Sequence, residues 1–216
     1  KRSAADRGTA TRYPMADPDV IEVTFGNDVI NTTVTSSGQA VERWIAEILA
    51  LHRPGSNGYS IIVGLDVEWR PSFGPHQNPV ATLQLCVGHS CLIFQLLYAD
   101  YVPGALAEFL GDRGIRFVGV GVEADAERLS DDHGLVVANA EDLRGRAAER
   151  MNRPDLRQAG LRALVQVVMG VNLVKPQRVT MSRWDASCLS YEQIKYACID
   201  AFVSFEVARR LLGGAY

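Results

Sequence analysis

Long apolar runs are absent from this 216-residue chain, and none approaches the roughly 18–20 residues that cross a bilayer. No membrane partner is expected. Cysteine is scarce: four residues are too few for a disulfide scaffold, and a reducing compartment suits them. Cys86 and Cys91, with His89 between them, match no common zinc spacing, and no second Cys/His pair completes such a site. They read as buried thiols at a hairpin. Cys188 and Cys198 read as packing residues near a helix. Positive charge is not in excess either. Lys and Arg number 22 against 25 Asp and Glu, a net charge of -3. That excludes binding of nucleic acid by bulk positive charge. An apolar leader is missing from Lys1 to Asp19, which read as a flexible arm. The expected location is cytoplasmic, with entry to the nucleus open to so small a protein.

What is present is an ordinary globular composition, 47% hydrophobic, enough for one domain over residues 20–216. Val20 to Phe25 and Val29 to Thr35 flank Gly26-Asn27-Asp28 and predict a hairpin. Ser37 is placed to cap a helix whose apolar face is Val41, Trp44, Ile45, Ile48 and Leu49. Pro54 to Gly58 ends it. Three strands follow as a meander: Tyr59 to Trp69, Val80 to Val87 and Cys91 to Leu97. A helix (Pro103 to Leu110), a fourth strand (Ile115 to Gly121) and a helix closed by Gly134 come next. A short fifth strand, Leu135 to Ala138, precedes a mostly helical remainder. The fold class is therefore α/β: a mixed five-stranded sheet, meander then β-α-β, flanked by helices, with an N-terminal β-hairpin plus helix.

Acids interrupt this pattern in three places. Asp66 and Glu68 lie two apart on the first strand of the meander, so they share one face. Buried together, they would need a cation or protons. Hard carboxylate oxygens suit Mg2+ or Mn2+; a solvated strand end is the alternative. Asp125 falls in the first turn of a helix that follows a strand, where an acid also complements the helix dipole. Tyr196 and Asp200 are i and i+4 on a helix opened by the capping box Ser190-Tyr191-Glu192-Gln193. Trp69 is placed to stack a terminal base or to pack at a strand end. Lys175, Arg178 and Arg183 form a sparse basic segment that could meet phosphates or stay solvated. Asp142 reads as a helix cap and Trp184 as a core anchor.

Taken together, Leu65-Asp66-Val67-Glu68-Trp69, Val118 to Asp125 and Tyr196-Ala197-Cys198-Ile199-Asp200 resemble the three motifs of the DEDD-superfamily 3'-5' exonucleases, on the ribonuclease H-like fold. Tyr four residues before the last Asp, with Lys at 195, indicates the tyrosine type. Val80 to Val87 and Val179 to Asp185 look like the Werner syndrome exonuclease group. The texture is most like the small plant proteins that include the RISC-interacting clearing exoribonucleases.

The resemblance implies a two-metal phosphodiester hydrolase acting on single-stranded nucleic acid from the 3' end and releasing nucleoside 5'-monophosphates, RNA favoured over DNA. It assigns Asp66 as bridging ligand of two Mg2+ or Mn2+ ions, with Glu68 and Asp200 beside it. Asp125 serves the second metal, and Tyr196 orients the attacking water. It also implies a homo-oligomer, with a hexameric ring known in that plant group, and RNA-silencing proteins as partners. The competing readings are a catalytically inactive nucleic-acid- or protein-binding module of the same shape, and a structural oligomer whose sheet carries acids by chance.

Overall fold

The computed structural model describes residues 19–52, 61–72, 74 and 76–213. The proposed arm up to residue 18, the Pro54 to Gly58 stop and the start of the first meander strand lie outside the described residues, while Asp19, placed in that arm, opens the first strand instead. The described elements include β1 (Asp19–Phe25), β2 (Asp28–Thr35), α1 (Gly38–Leu51), β3 (Ile61–Glu68), β4 (Thr82–Val87), β5 (Ser90–Phe94), α2 (Gly104–Gly111), β6 (Ile115–Gly119), α3 (Val122–His133), β7 (Ala140–Asp142), α4 (Leu143–Arg150), α5 (Leu161–Met169), α6 (Gln177–Thr180) and α7 (Tyr191–Leu211).

These strands form one mixed sheet of seven, in the order β1-β2-β5-β4-β3-β6-β7. The five-stranded core is as expected: β3, β4 and β5 are an antiparallel meander, and β6 and β7 add in parallel beside β3. Two corrections apply. The expected hairpin is present, and β2 pairs in parallel with β5, so the sheet has seven strands and not five. The polar-apolar alternation of the hairpin marks a strand but does not say which edge the strand will join. The last strand is Ala140–Asp142 and not Leu135 to Ala138. Apolar Leu135 and Val137 pack on the core from a loop, while the three pairing residues are Ala, Glu and Asp.

The meander is buried because helices cover it. β4 is buried along its whole length. α7, with 16 buried residues, lies against the sheet and is the main cover for β3, β4 and β5. Burial of this much apolar side chain, at about 1.5–3 kcal/mol for each large residue, fixes α7 against β3. The capping box at Ser190 and Gln193 starts α7, as its sequence predicts. Gly134 ends α3 in the left-handed region, at φ 68°. Ser37 does stand at the start of α1, but its hydroxyl makes no cap bond; Asp100 Oδ1 accepts from Gly38 N instead, at 2.7 Å. Leu49, expected on the apolar face of α1, is 40% exposed.

Cys86 faces Cys91 across the β4–β5 hairpin, and both are buried. Cys198 of α7 is buried too, its sulfur 3.0 Å from Thr32 Oγ1. Cys188 is exposed and does not pack as expected. His89 Nε2 sits 2.9 Å from Asp28 Oδ1, on an exposed turn. Among the described residues no helix is long and apolar enough to cross a membrane.

Candidate active site

Acids from three elements, β3, α7 and α3, converge at the C-terminal end of β3. Asp66 and Glu68 come from β3 itself, on one face by the two-residue period. Asp200 comes from the middle of α7 and is 2% exposed. The approach of α7 depends on Gly64. A Cβ there would stand 2.0 Å from Ala201 O and 2.8 Å from Phe205 N. Only a residue without a side chain lets the helix backbone come this close to the strand, and so lets Asp200 reach the β3 acids. The ligand-capable oxygens of Asp66, Glu68 and Asp200 all lie within 4.8 Å of one another.

Asp125 enters from the neighbouring strand. β6 runs parallel to β3 and hands over to α3 at Gly121, which takes φ 80°. Asp142 holds this turn: its Oδ2 accepts from Gly121 N at 2.7 Å, while Oδ1 accepts from Arg144 N at 2.8 Å and caps α4. The predicted cap is confirmed, and the same carboxylate fastens the start of α3. Asp125 lies outside the trio but lines the same cavity, of about 400 Å³, with Asp66, Glu68, Trp69, Lys175, Thr180 and Asp200.

Crowded carboxylates in a poorly solvated place resist ionisation. Burial, then Asp200 and Asp125, raises Asp66 well above the usual carboxylate range. Burial, then Asp66 and Asp200, pushes Glu68 up to about 10. Burial raises Asp125 to about 7, against the pull of Arg128. Burial also raises Asp200, although Lys175 opposes it. A set of hard oxygen donors that cannot comfortably hold its own charge fits a divalent cation such as Mg2+ or Mn2+.

Tyr196 lies one helical turn before Asp200. Its hydroxyl is 3.1 Å from Thr180 Oγ1, and its ring packs 5.9 Å from that of Trp184, which is 1% exposed and is the predicted anchor. Burial, then Asp200, raises the phenol to about 12. The Arg128 guanidinium covers a face of Trp69, 3.8 Å from the ring centre. Of the three basic residues proposed from sequence, the fold brings only Lys175 to the acids, with Nζ 2.5 Å from Asp200 Oδ2. Arg178 pairs with Glu192, and Arg183 points toward Asp185 at 3.7 Å; both are exposed and neither lines the cavity. Arg128 and Thr180 are the residues that sequence reading leaves unassigned. The i, i+3 spacing from Asp125 was a signal for Arg128, whereas Thr180 was marked only as part of the Val179 to Asp185 stretch, with no role of its own. A larger hollow, about 520 Å³, opens beside β7 and α4, but its Arg144, Arg146 and Arg157 are each paired with an acid.

A half-buried acidic cluster at the end of an interior strand of a mixed, helix-covered sheet defines a class: a nuclease domain of the ribonuclease H-like α/β type. Comparison with known sequences makes the assignment. The profile of the family described as 3'-5' exonuclease matches residues 32–213, and the chain belongs to that family. It is 32% identical over 213 residues to a 3'-5' exonuclease of Arabidopsis thaliana, covering 98% of this chain and 70% of that protein. It is 30% identical over 152 residues to the bifunctional 3'-5' exonuclease/ATP-dependent helicase WRN of Mus musculus, covering 69% of this chain and 11% of that protein. The crystal structure of the EXD2 exonuclease domain aligns with TM-score 0.49 and 28% identity, over 85% of this chain and 90% of that one.

Proposed function

We propose that the chain removes nucleotides one at a time from the 3' end of single-stranded nucleic acid, RNA in preference to DNA, releasing nucleoside 5'-monophosphates. The observation that carries this reading is the trio of Asp66, Glu68 and Asp200, with ligand oxygens within 4.8 Å on a largely buried floor. Family membership supplies the 3'-5' direction. The preference for RNA rests on the sequence resemblance to the plant exoribonucleases.

In this reading Asp66, Glu68 and Asp200 hold Mg2+ or Mn2+, with Asp125 across the same cavity. When bound, such ions supply the positive charge that acidifies water and steadies the leaving oxygen in an in-line displacement. The chain's own residues position the reactants. Tyr196, raised to about 12, keeps its proton at neutral pH. It therefore serves as a hydrogen-bond donor that orients water, and not as the general base. The hydroxyl of Thr180 fixes that phenol from the side of α6. Trp69, braced by Arg128, offers its ring at the cavity wall as a stacking surface for the terminal base. Arg178 and Arg183, outside the cavity, would meet phosphates further from the 3' end.

The test is digestion of matched, end-labelled RNA and DNA, single- and double-stranded, with Mg2+ and with Mn2+. Mononucleotides released from the 3' end of single-stranded RNA faster than from single-stranded DNA support the reading. Faster hydrolysis of DNA would overturn the RNA preference, and endonucleolytic fragments would overturn the exonuclease assignment.

A further inference from the structure

Lys175 projects from the segment between α5 and α6 onto the acidic floor. Its Nζ lies 2.5 Å from Asp200 Oδ2 and 5.0 Å from the centre of the Tyr196 ring. The lysine side chain is 31% exposed, against 3% for its partner. Asp200 belongs to the same cluster as Asp66 and Glu68. The ammonium thus stands as a counter-ion among carboxylates that packing has forced together.

This position conflicts with metal loading. Were a divalent ion at about 2.0–2.1 Å to share Oδ2 with the ammonium, the two cations would stand about 4 Å apart, and on Oδ1 they would still face each other across one carboxylate. Their repulsion favours moving one of the three partners. Asp200 is fixed in the buried middle of α7. Lys175 is on a flexible four-carbon stem, beside Val174, which is 72% exposed.

We propose that Lys175 is a placeholder cation. It neutralises Asp200 until a divalent ion binds, is displaced by that ion, and thereby sets the concentration at which the site loads. The inference rests on the reading of Asp66, Glu68 and Asp200 as metal ligands. It gives Lys175 a different task from the phosphate contact that its sequence context suggests.

The test titrates the full chain, stripped with EDTA, with Mn2+, and follows free Mn2+ by electron paramagnetic resonance. Lys175→Met should bind Mn2+ about tenfold more tightly than wild type, within the usual range of coupling between sites. It should also melt at a lower temperature in EDTA. Unchanged or weaker Mn2+ binding by Lys175→Met overturns the proposal. Asp66→Asn is the control for the underlying reading. If Asp66→Asn loses Mn2+ binding while Lys175→Met leaves it unchanged, only the placeholder fails. If Asp66→Asn binds as wild type does, the metal-ligand reading fails and takes the placeholder with it. A measurement on wild type avoids any folding defect: the Lys175 ammonium resonance, protected by its bond to Asp200, should lose that protection as Mg2+ is added. Protection that persists at saturating Mg2+ overturns the proposal.

Discussion

Replacing Glu68 by glutamine should destroy activity and stabilise the protein when it is stripped of metal. Glu68 has an ordinary value of 4.5 and stands at about 10 in the fold, through burial and then its neighbours Asp66 and Asp200. A carboxyl raised in this way keeps a proton in the folded chain that the unfolded chain gives up. Stability is then fullest below the ordinary value and is lost as pH rises toward the folded one. Each pH unit in that window costs about 1.4 kcal/mol, so at pH 7 this group costs about 3 kcal/mol. Glutamine keeps the shape and removes the charge. The variant should therefore gain about 2–3 kcal/mol in EDTA at pH 7, or about 5–10 °C in Tm for a chain of this size. The assay is thermal unfolding by circular dichroism in EDTA at pH 5 and pH 8. The gain should be small at pH 5 and larger at pH 8, and saturating Mg2+ should stabilise wild type and leave the variant nearly unmoved. A variant that melts below wild type at pH 8 in EDTA would refute the idea that these carboxylates are held together against their own repulsion.

Other expectations follow from the same geometry. Gly64→Ala should lower stability by about 3 kcal/mol or more, because its methyl meets the backbone of α7, and should cost activity by moving Asp200; denaturant unfolding showing under 1 kcal/mol of loss would contradict this. Asp142→Ala removes the cap of α4 and the tie to Gly121, and should cost about 1–2 kcal/mol by the same assay with a fall in kcat. Asp125 stands at about 7, so Mn2+ binding should tighten as pH rises from 6 to 8, when its proton leaves; calorimetry showing no pH dependence there would remove Asp125 from the ligand set. Tyr196→Phe should lower kcat about 10- to 100-fold with KM little changed, since it removes a hydroxyl and no substrate surface.

Much of this was legible in sequence because local rules govern it. The two-residue period put Asp66 beside Glu68, the i, i+4 period put Tyr196 beside Asp200, and the capping box marked the start of α7. What sequence could not carry was long-range pairing. β2 joins β5 through backbone bonds that no side-chain pattern encodes. Asp100, 62 residues from Gly38, does the capping expected of Ser37. Gly64 reads in sequence as a break in an apolar run, and only the packed helix shows why no other residue serves there. Lys175, Arg178 and Arg183 looked alike on the chain, yet the loop delivers one of them to the acids and leaves two in solvent.

The carboxylates of β3 and α7 are proposed to run a 3'-5' exonuclease. The most direct measurement of this is a time course on one single-stranded oligonucleotide labelled separately at each end, with Mg2+, with EDTA, and with Asp66→Ala in place of wild type. The expected result is a ladder shortening from the 3' end, immediate mononucleotide release from a 3' label, and loss of both in EDTA and in the folded variant. Hydrolysis that survives EDTA, or an Asp66→Ala variant keeping more than a few per cent of wild-type turnover, would contradict it.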